Sequence, residues 1–143
     1  MTSLLGKEVY LFSLIIATVI SKDCMQIRGR VICPLKWKPD VHDNDKQVIV
    51  QFMDGDRGLL DEIYVTKNGY FALTGCSNRL IRSMQPELHI LHKCKNDEHR
   101  KLRVADIPHE KGGEYNMTTT INLAADHGTH EEKFEFEDRV VCS

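Results

Sequence analysis

A chain of 143 residues with 19 Lys+Arg against 21 Asp+Glu carries a formal charge of −2, which excludes the basic excess by which a nucleic-acid-tracking domain neutralises phosphates. Its 41% hydrophobic content is enough to fill the core of one domain, typically about 100–150 residues, and excludes disorder along the whole length.

The first element is expected to lie outside the fold. Val9 to Ile20 is a 12-residue run without charge, placed behind Lys7 and followed by the small Ser21. A membrane-spanning helix needs about 20 apolar residues, so this run reads as a secretory signal peptide over 1–21, cleaved after Ser21. The expected mature domain is 22–143, in a secreted, extracellular protein.

The rest alternates between short strand-like segments and turns. Met25, Ile27, Val31 and Cys33 share one face of MQIRGRVIC, with Gln26, Arg28 and Arg30 on the other. That is the period of two expected of a half-buried strand. QVIVQFMD (Gln47 to Asp54) carries apolar residues on both faces. EIYVT and YFALT flank Lys67-Asn68-Gly69, and Asn-Gly is the strongest short hairpin signal. ELHILHKC (Glu87 to Cys94) and RKLRV (Arg100 to Val104) follow, separated by the charged stretch Lys95 to His99. YNMTTTINL (Tyr115 to Leu123) places Tyr115, Met117, Thr119, Ile121 and Leu123 on one face, and KFEFEDRVV (Lys133 to Val141) closes the series. No long amphipathic helix is available to cross between parallel strands, so the expectation is an all-β, two-sheet sandwich of seven to eight strands.

Five cysteines (Cys24, Cys33, Cys76, Cys94 and Cys142) lie beyond the cleavage site, and in an oxidising compartment cysteines pair. At least one of five is left over, and spacing alone leaves the pairing open. No CxxC spacing supports a zinc site. His89 and His92, three apart on a strand, point to opposite faces and cannot share one metal. The stretch starting at Asp54 resembles the beginning of a calcium loop, but Leu59 and Val65 stand where glycine and glutamate are required. No metal, cofactor or catalytic group is expected. Asn116-Met117-Thr118 is a glycosylation sequon.

Charge is unevenly spread along the chain. Lys93, Lys95, Arg100, Lys101 and Arg103 cluster on one predicted hairpin, whereas Glu131, Glu132, Glu135, Glu137 and Asp138 crowd the tail. This predicts two oppositely charged poles. The basic one is the candidate surface-docking patch for an acidic receptor surface or anionic lipid headgroups, with strength falling as salt rises.

Taken in order, QIRGRVIC, VIVQFMD, GLLDEIYVTKNGYFALTG, PELHILHKC, Ile107-Pro108, YNMTTTINL and DRVVC resemble the secreted transthyretin-like family of nematodes over about Gln26 to Cys142. The resemblance implies a prealbumin-like Greek-key sandwich with its first and fourth strands side by side in parallel. It thereby implies a Cys33–Cys76 bridge and a Cys94–Cys142 bridge, with Cys24 left as a free or intermolecular thiol. The chain is then a monomer or a Cys24-linked dimer. The related hydroxyisourate hydrolases use strand histidines, an arginine and a terminal Tyr-Arg-Gly-Ser, whereas this chain ends Val140-Val141-Cys142-Ser143, so no enzyme is expected. The hormone channel of transthyretin would here be lined by Arg28, Arg30, Thr118, Thr120, Glu135 and Glu137, too polar for an iodothyronine.

The function expected is a secreted binding module that contacts an extracellular protein, a receptor or a cell surface, without nucleic acid as a partner. The alternative is an extracellular carrier of a small apolar ligand or lipid within the sandwich. A shared scaffold does not choose between them.

Overall fold

The computed structural model describes residues 23–33, 48–55, 58–66, 68–77, 83–95, 98–110 and 112–133. The predicted signal peptide, Cys142 and nearly all of KFEFEDRVV lie outside the described residues. Nine strands are described: β1 (Asp23–Ile32), β2 (Val48–Asp54), β3 (Leu59–Val65), β4 (Tyr70–Ser77), β5 (Pro86–Lys95), β6 (Glu98–Val104), β7 (Glu114–Asn116), β8 (Ile121–Asn122) and β9 (Glu131–Lys133). They form two packed sheets. One has the order β4-β1-β7, with β8 also on β1, and the other runs β3-β2-β5-β6-β9. The Greek-key sandwich expected from the sequence is the fold.

Alternation sets which residues fill the space between the sheets. Along β4, Phe71, Leu73, Gly75 and Ser77 are buried while Tyr70, Ala72, Thr74 and Cys76 are exposed. From β1 the core takes Met25, Ile27 and Val31; from β2, Val48, Val50 and Phe52; from β5, Leu88 and Ile90. Full burial of each such side chain contributes about 1.5–3 kcal/mol. Gly29 occupies the inward row of β1 with no side chain, and a Cβ there would stand 2.6 Å from the ring of its cross-strand partner Phe71. The glycine is the space that the ring fills.

β1 runs antiparallel to β4, correcting the parallel pairing that the family resemblance implied. The consequence for the cysteines is direct. A parallel pair would set the end of β1 beside the end of β4, but the antiparallel register sets Cys24, near the start of β1, opposite Cys76. The bridges are Cys24–Cys76 and Cys33–Cys94, not Cys33–Cys76 and Cys94–Cys142. Cys24 therefore has no free thiol, and a Cys24-linked dimer is ruled out while that bridge is intact. The Cys24–Cys76 bridge ties two strands of one sheet. Cys33–Cys94, with Cα atoms 5.5 Å apart, ties the end of β1 to β5 in the opposite sheet.

Two predicted connections also differ. The Asn68-Gly69 turn exists, with the Gly69 N–H donating to the Thr66 carbonyl at 2.9 Å and φ of 77° at Gly69. It does not close a hairpin, since β3 pairs with β2 and β4 with β1. It carries the chain from one sheet to the other, and the Gly69 carbonyl accepts from the Val31 N–H at 2.9 Å to fix that corner on β1. YNMTTTINL is likewise not one strand. β7 and β8 both run parallel to β1, with Gln26 opposite Glu114 but Val31 opposite Ile121, so the register offset grows from 88 to 90. Two extra residues bulge out between the two short strands.

Candidate binding surfaces

The five residues of the predicted docking patch fall on β5 and β6, but they do not form one face. Lys101 and Arg103 lie opposite Leu91 and His89 on the outer side of the five-stranded sheet, while Arg100 lies opposite His92 on the side facing the core. Lys93 is half-buried on β5. The other four each meet a carboxylate. Lys95 lies 4.0 Å from Asp126 and 3.9 Å from Glu131, Arg100 bonds to Glu98 at 3.0 Å, and Lys101 stands 3.5 Å from Glu132. Arg103 grips Glu87 with two nitrogens, Nη2 donating to Oε2 at 3.0 Å and Nε to Oε1.

The acidic residues come partly from the segment expected at the opposite pole. β9 pairs antiparallel with β6 and lays Glu131 opposite Leu102 and Glu132 opposite Lys101. Among the described residues the basic hairpin and the acidic segment thus neutralise one another, and the predicted separation of charge is not seen. Glu135, Glu137 and Asp138 lie outside the described residues.

Beneath this hairpin sits a buried polar pair. His92 and Glu131 have side chains 0% and 2% exposed, with Nε2 and Oε1 2.6 Å apart. The Cys94 N–H donates to His92 Nδ1 at 3.1 Å, so Nδ1 bears the lone pair and Nε2–H donates to the carboxylate. Burial holds the imidazole below its ordinary pKa; Glu131 opposes this, and the charges of His127 and Arg100 reinforce it. His89 is on the other face, with Nε2 2.6 Å from Glu87 Oε1. Burial raises the Glu87 pKa, but hydrogen bonds and charge from Arg103 and His89 outweigh it, and the carboxyl lies below its ordinary range. His127 is committed elsewhere, its Nε2 2.7 Å from the Asn122 carbonyl.

The opposite sheet carries a concave feature. At the interruption between β7 and β8 lies an open groove of about 590 Å³, whose lining includes Gly29, Phe71, Met117 and Ile63 with Arg28, Arg30, Tyr70, Ala72 and Asn116. The first four are buried or half-buried and apolar, whereas the other five are exposed. Arg28 Nε is 2.8 Å from Glu114. Arg30 donates from Nε to the Asn68 carbonyl at 2.9 Å and lies over the Tyr70 ring, 4.9 Å from its centroid. Among the described residues no carboxylate pairs with Arg30. Its position on the outer face of β1 was legible from the alternation of QIRGRVIC. Tyr70, Ala72 and Met117 as its neighbours were not, because they depend on β1 lying between β4 and β7.

Asn116 is the last residue of β7, exposed, and aligned with Arg28 on β1. A family model described as TTR-52, transthyretin-like family, matches residues 28–108, more than half of the chain. No curated protein matches.

Proposed function

The chain belongs to the transthyretin-like family, and from that premise we propose that it is a secreted, non-catalytic binding module that contacts an extracellular protein or a cell surface. Two disulfides suit an oxidising compartment. The observation that carries the reading is the outer face of the β4-β1-β7 sheet, where Arg30 lies over the exposed Tyr70 at the rim of the groove. Arginine and tyrosine are enriched among the few residues that supply most of the energy of protein contacts. The basic hairpin is the weaker site, since an anionic partner or lipid headgroup there must displace carboxylates already in place.

The test compares neutral substitutions on the two faces. Labelled protein with Arg30→Gln and Tyr70→Ser should lose about tenfold or more of its affinity for the target surface, roughly 1.4 kcal/mol. Lys101→Gln with Arg103→Gln should change it by less than about twofold. The reverse ranking would return docking to Lys93, Lys95, Arg100, Lys101 and Arg103.

The groove volume of about 590 Å³ favours a second reading, carriage of a small apolar ligand, since small-molecule sites span about 300–1,000 Å³. Salt separates the two. Contact through Arg30 weakens as ionic strength rises, while capture of an apolar ligand on Phe71 and Met117 scarcely responds.

A further inference from the structure

We propose that Asn116 carries an N-linked oligosaccharide and that this glycan stands over the groove, so that its presence sets how open the β4-β1-β7 face is to a partner. The chain contains one Asn-x-Ser/Thr sequence, Asn116-Met117-Thr118. Sequence alone leaves open whether such a triplet in a strand can tolerate a bulky substituent. The fold answers this residue by residue. Asn116 is exposed on the outer side of the sheet, where β7 ends, and its carboxamide hydrogen-bonds to none of the described residues. Met117 turns inward against the core, with its N–H donating to the Arg28 carbonyl at 2.8 Å. Thr118 is exposed again, at the start of the two-residue bulge. Both recognition side chains therefore face solvent, and only the unconstrained middle residue is used by the core. A sugar on Nδ2 displaces no packed group.

The modification is a group transfer without redox change. The Asn116 Nδ2 forms a bond to C1 of an oligosaccharide carried on a lipid diphosphate, supplied with its transferase by the secretory pathway. The C1–oxygen bond to the diphosphate breaks, the lipid diphosphate departs, and the amide nitrogen loses one proton.

Position gives the glycan its consequence. Asn116 lies in register with Arg28 and lines the same groove as Arg30, Tyr70 and Ala72. A branched sugar rooted there covers the rim on which the proposed function rests, and it opposes stacking of a second sheet on this face. Glycosylated protein is thus the restricted form and the bare chain the open one.

The experiment secretes the full chain from a eukaryotic host as wild type, Asn116→Gln, Thr118→Ala and Thr118→Ser. Intact mass is read before and after amidase removal of N-glycans, and binding to the target cells is measured for each. The wild type and Thr118→Ser should lose a complete glycan on treatment, whereas Asn116→Gln and Thr118→Ala should lose nothing. The two bare variants should bind at least roughly threefold tighter than the glycosylated wild type. A secreted wild type without glycan overturns the proposal while leaving cell binding to be read on its own. Glycan present with equal binding by all four proteins overturns the shielding role. Glycosylated and bare chains that both fail to bind any cell defeat the binding-module reading, and the shielding role with it, while the modified Asn116 stands.

Discussion

Four cations of the five-stranded sheet and Arg30 of the other sheet are held in opposite ways, while Arg28, paired with Glu114, follows the first pattern. On β5, β6 and β9, Lys95, Arg100, Lys101 and Arg103 are each met by a carboxylate from the same sheet or from the segment leading into it. On β1, by contrast, Arg30 meets a backbone carbonyl and an aromatic ring, beside a groove opened by the bulge between β7 and β8. The richer concentration of positive charge is thus the less available one. Charge along a chain becomes charge on a surface only after the partners in space are counted, and β9 supplies partners remote in sequence from the residues that they neutralise.

The largest way to break this contrast is to separate the sheets. Cys33–Cys94 joins the groove-bearing sheet to the charge-paired one and closes a loop of 61 residues' separation; in the chain-entropy picture such a bridge is worth about 4 kcal/mol. Cys24–Cys76, at a separation of 52, has nearly the same entropic value but joins neighbouring strands of one sheet, with Cys76 exposed. Since Cys94 is buried, Cys33→Ala with Cys94→Ala also removes core packing. Urea unfolding should therefore show a loss of about 4–5 kcal/mol for that pair of substitutions and about 3–4 kcal/mol for Cys24→Ala with Cys76→Ala. A larger loss from the second pair would contradict this ranking.

Those bridges also mark where the sequence stops being legible. Period-two alternation locates β1, β2, β4, β5 and β6 and identifies their inward residues, because burial on one face demands it. It says nothing of direction, since the same alternation serves a parallel and an antiparallel neighbour. Hence β1 against β4 was open, and with it the partners of Cys24 and Cys33. The bulge before β8 escapes for a related reason. Two extra residues restore the alternation, so Tyr115, Met117, Ile121 and Leu123 still read as one face across the break. Asn68-Gly69 signals a turn through its backbone preferences but carries no information about which sheet receives the next strand. Of the candidate site, Arg28, Arg30 and Asn116 were visible individually; their assembly around a groove required the strand order.

Acid should weaken the charge-paired side in two separate stages. The buried neutral His92 has a pKa below its ordinary 6.5, so the unfolded chain binds the proton first and stability, complete above about pH 6.5, falls as pH is lowered. The groups around this ring, Glu131, Lys95, Arg100 and His127, move the position of the loss without reversing its sign. Glu87 lies below its ordinary 4.5, so its contribution is complete above that value and disappears as pH falls toward its folded pKa. Unfolding midpoints measured from about pH 8 to pH 3 should decline in both windows for the wild type. His92→Asn should flatten the upper decline and Glu87→Gln the lower one. A His92→Asn protein that still loses stability between about pH 7 and pH 5.5 would place the upper transition on another group.

The smallest effect tests the contrast most finely. Lys101 pairs with a Glu132 side chain that is 68% exposed, and such pairs contribute about 0–1 kcal/mol, with salt reducing even that. Lys101→Gln should therefore shift the unfolding free energy by less than about 0.5 kcal/mol. Arg30→Gln removes an exposed side chain's single hydrogen bond to the Asn68 carbonyl and its contact with Tyr70, and it should cost no more than about 1 kcal/mol. Stability thus hardly separates the two residues, which is what makes them a useful pair. With folding nearly unchanged in both, a difference between them in binding reads the availability of each charge directly. If both variants bind alike, pairing with a carboxylate at the surface does not decide which face of the sandwich is used.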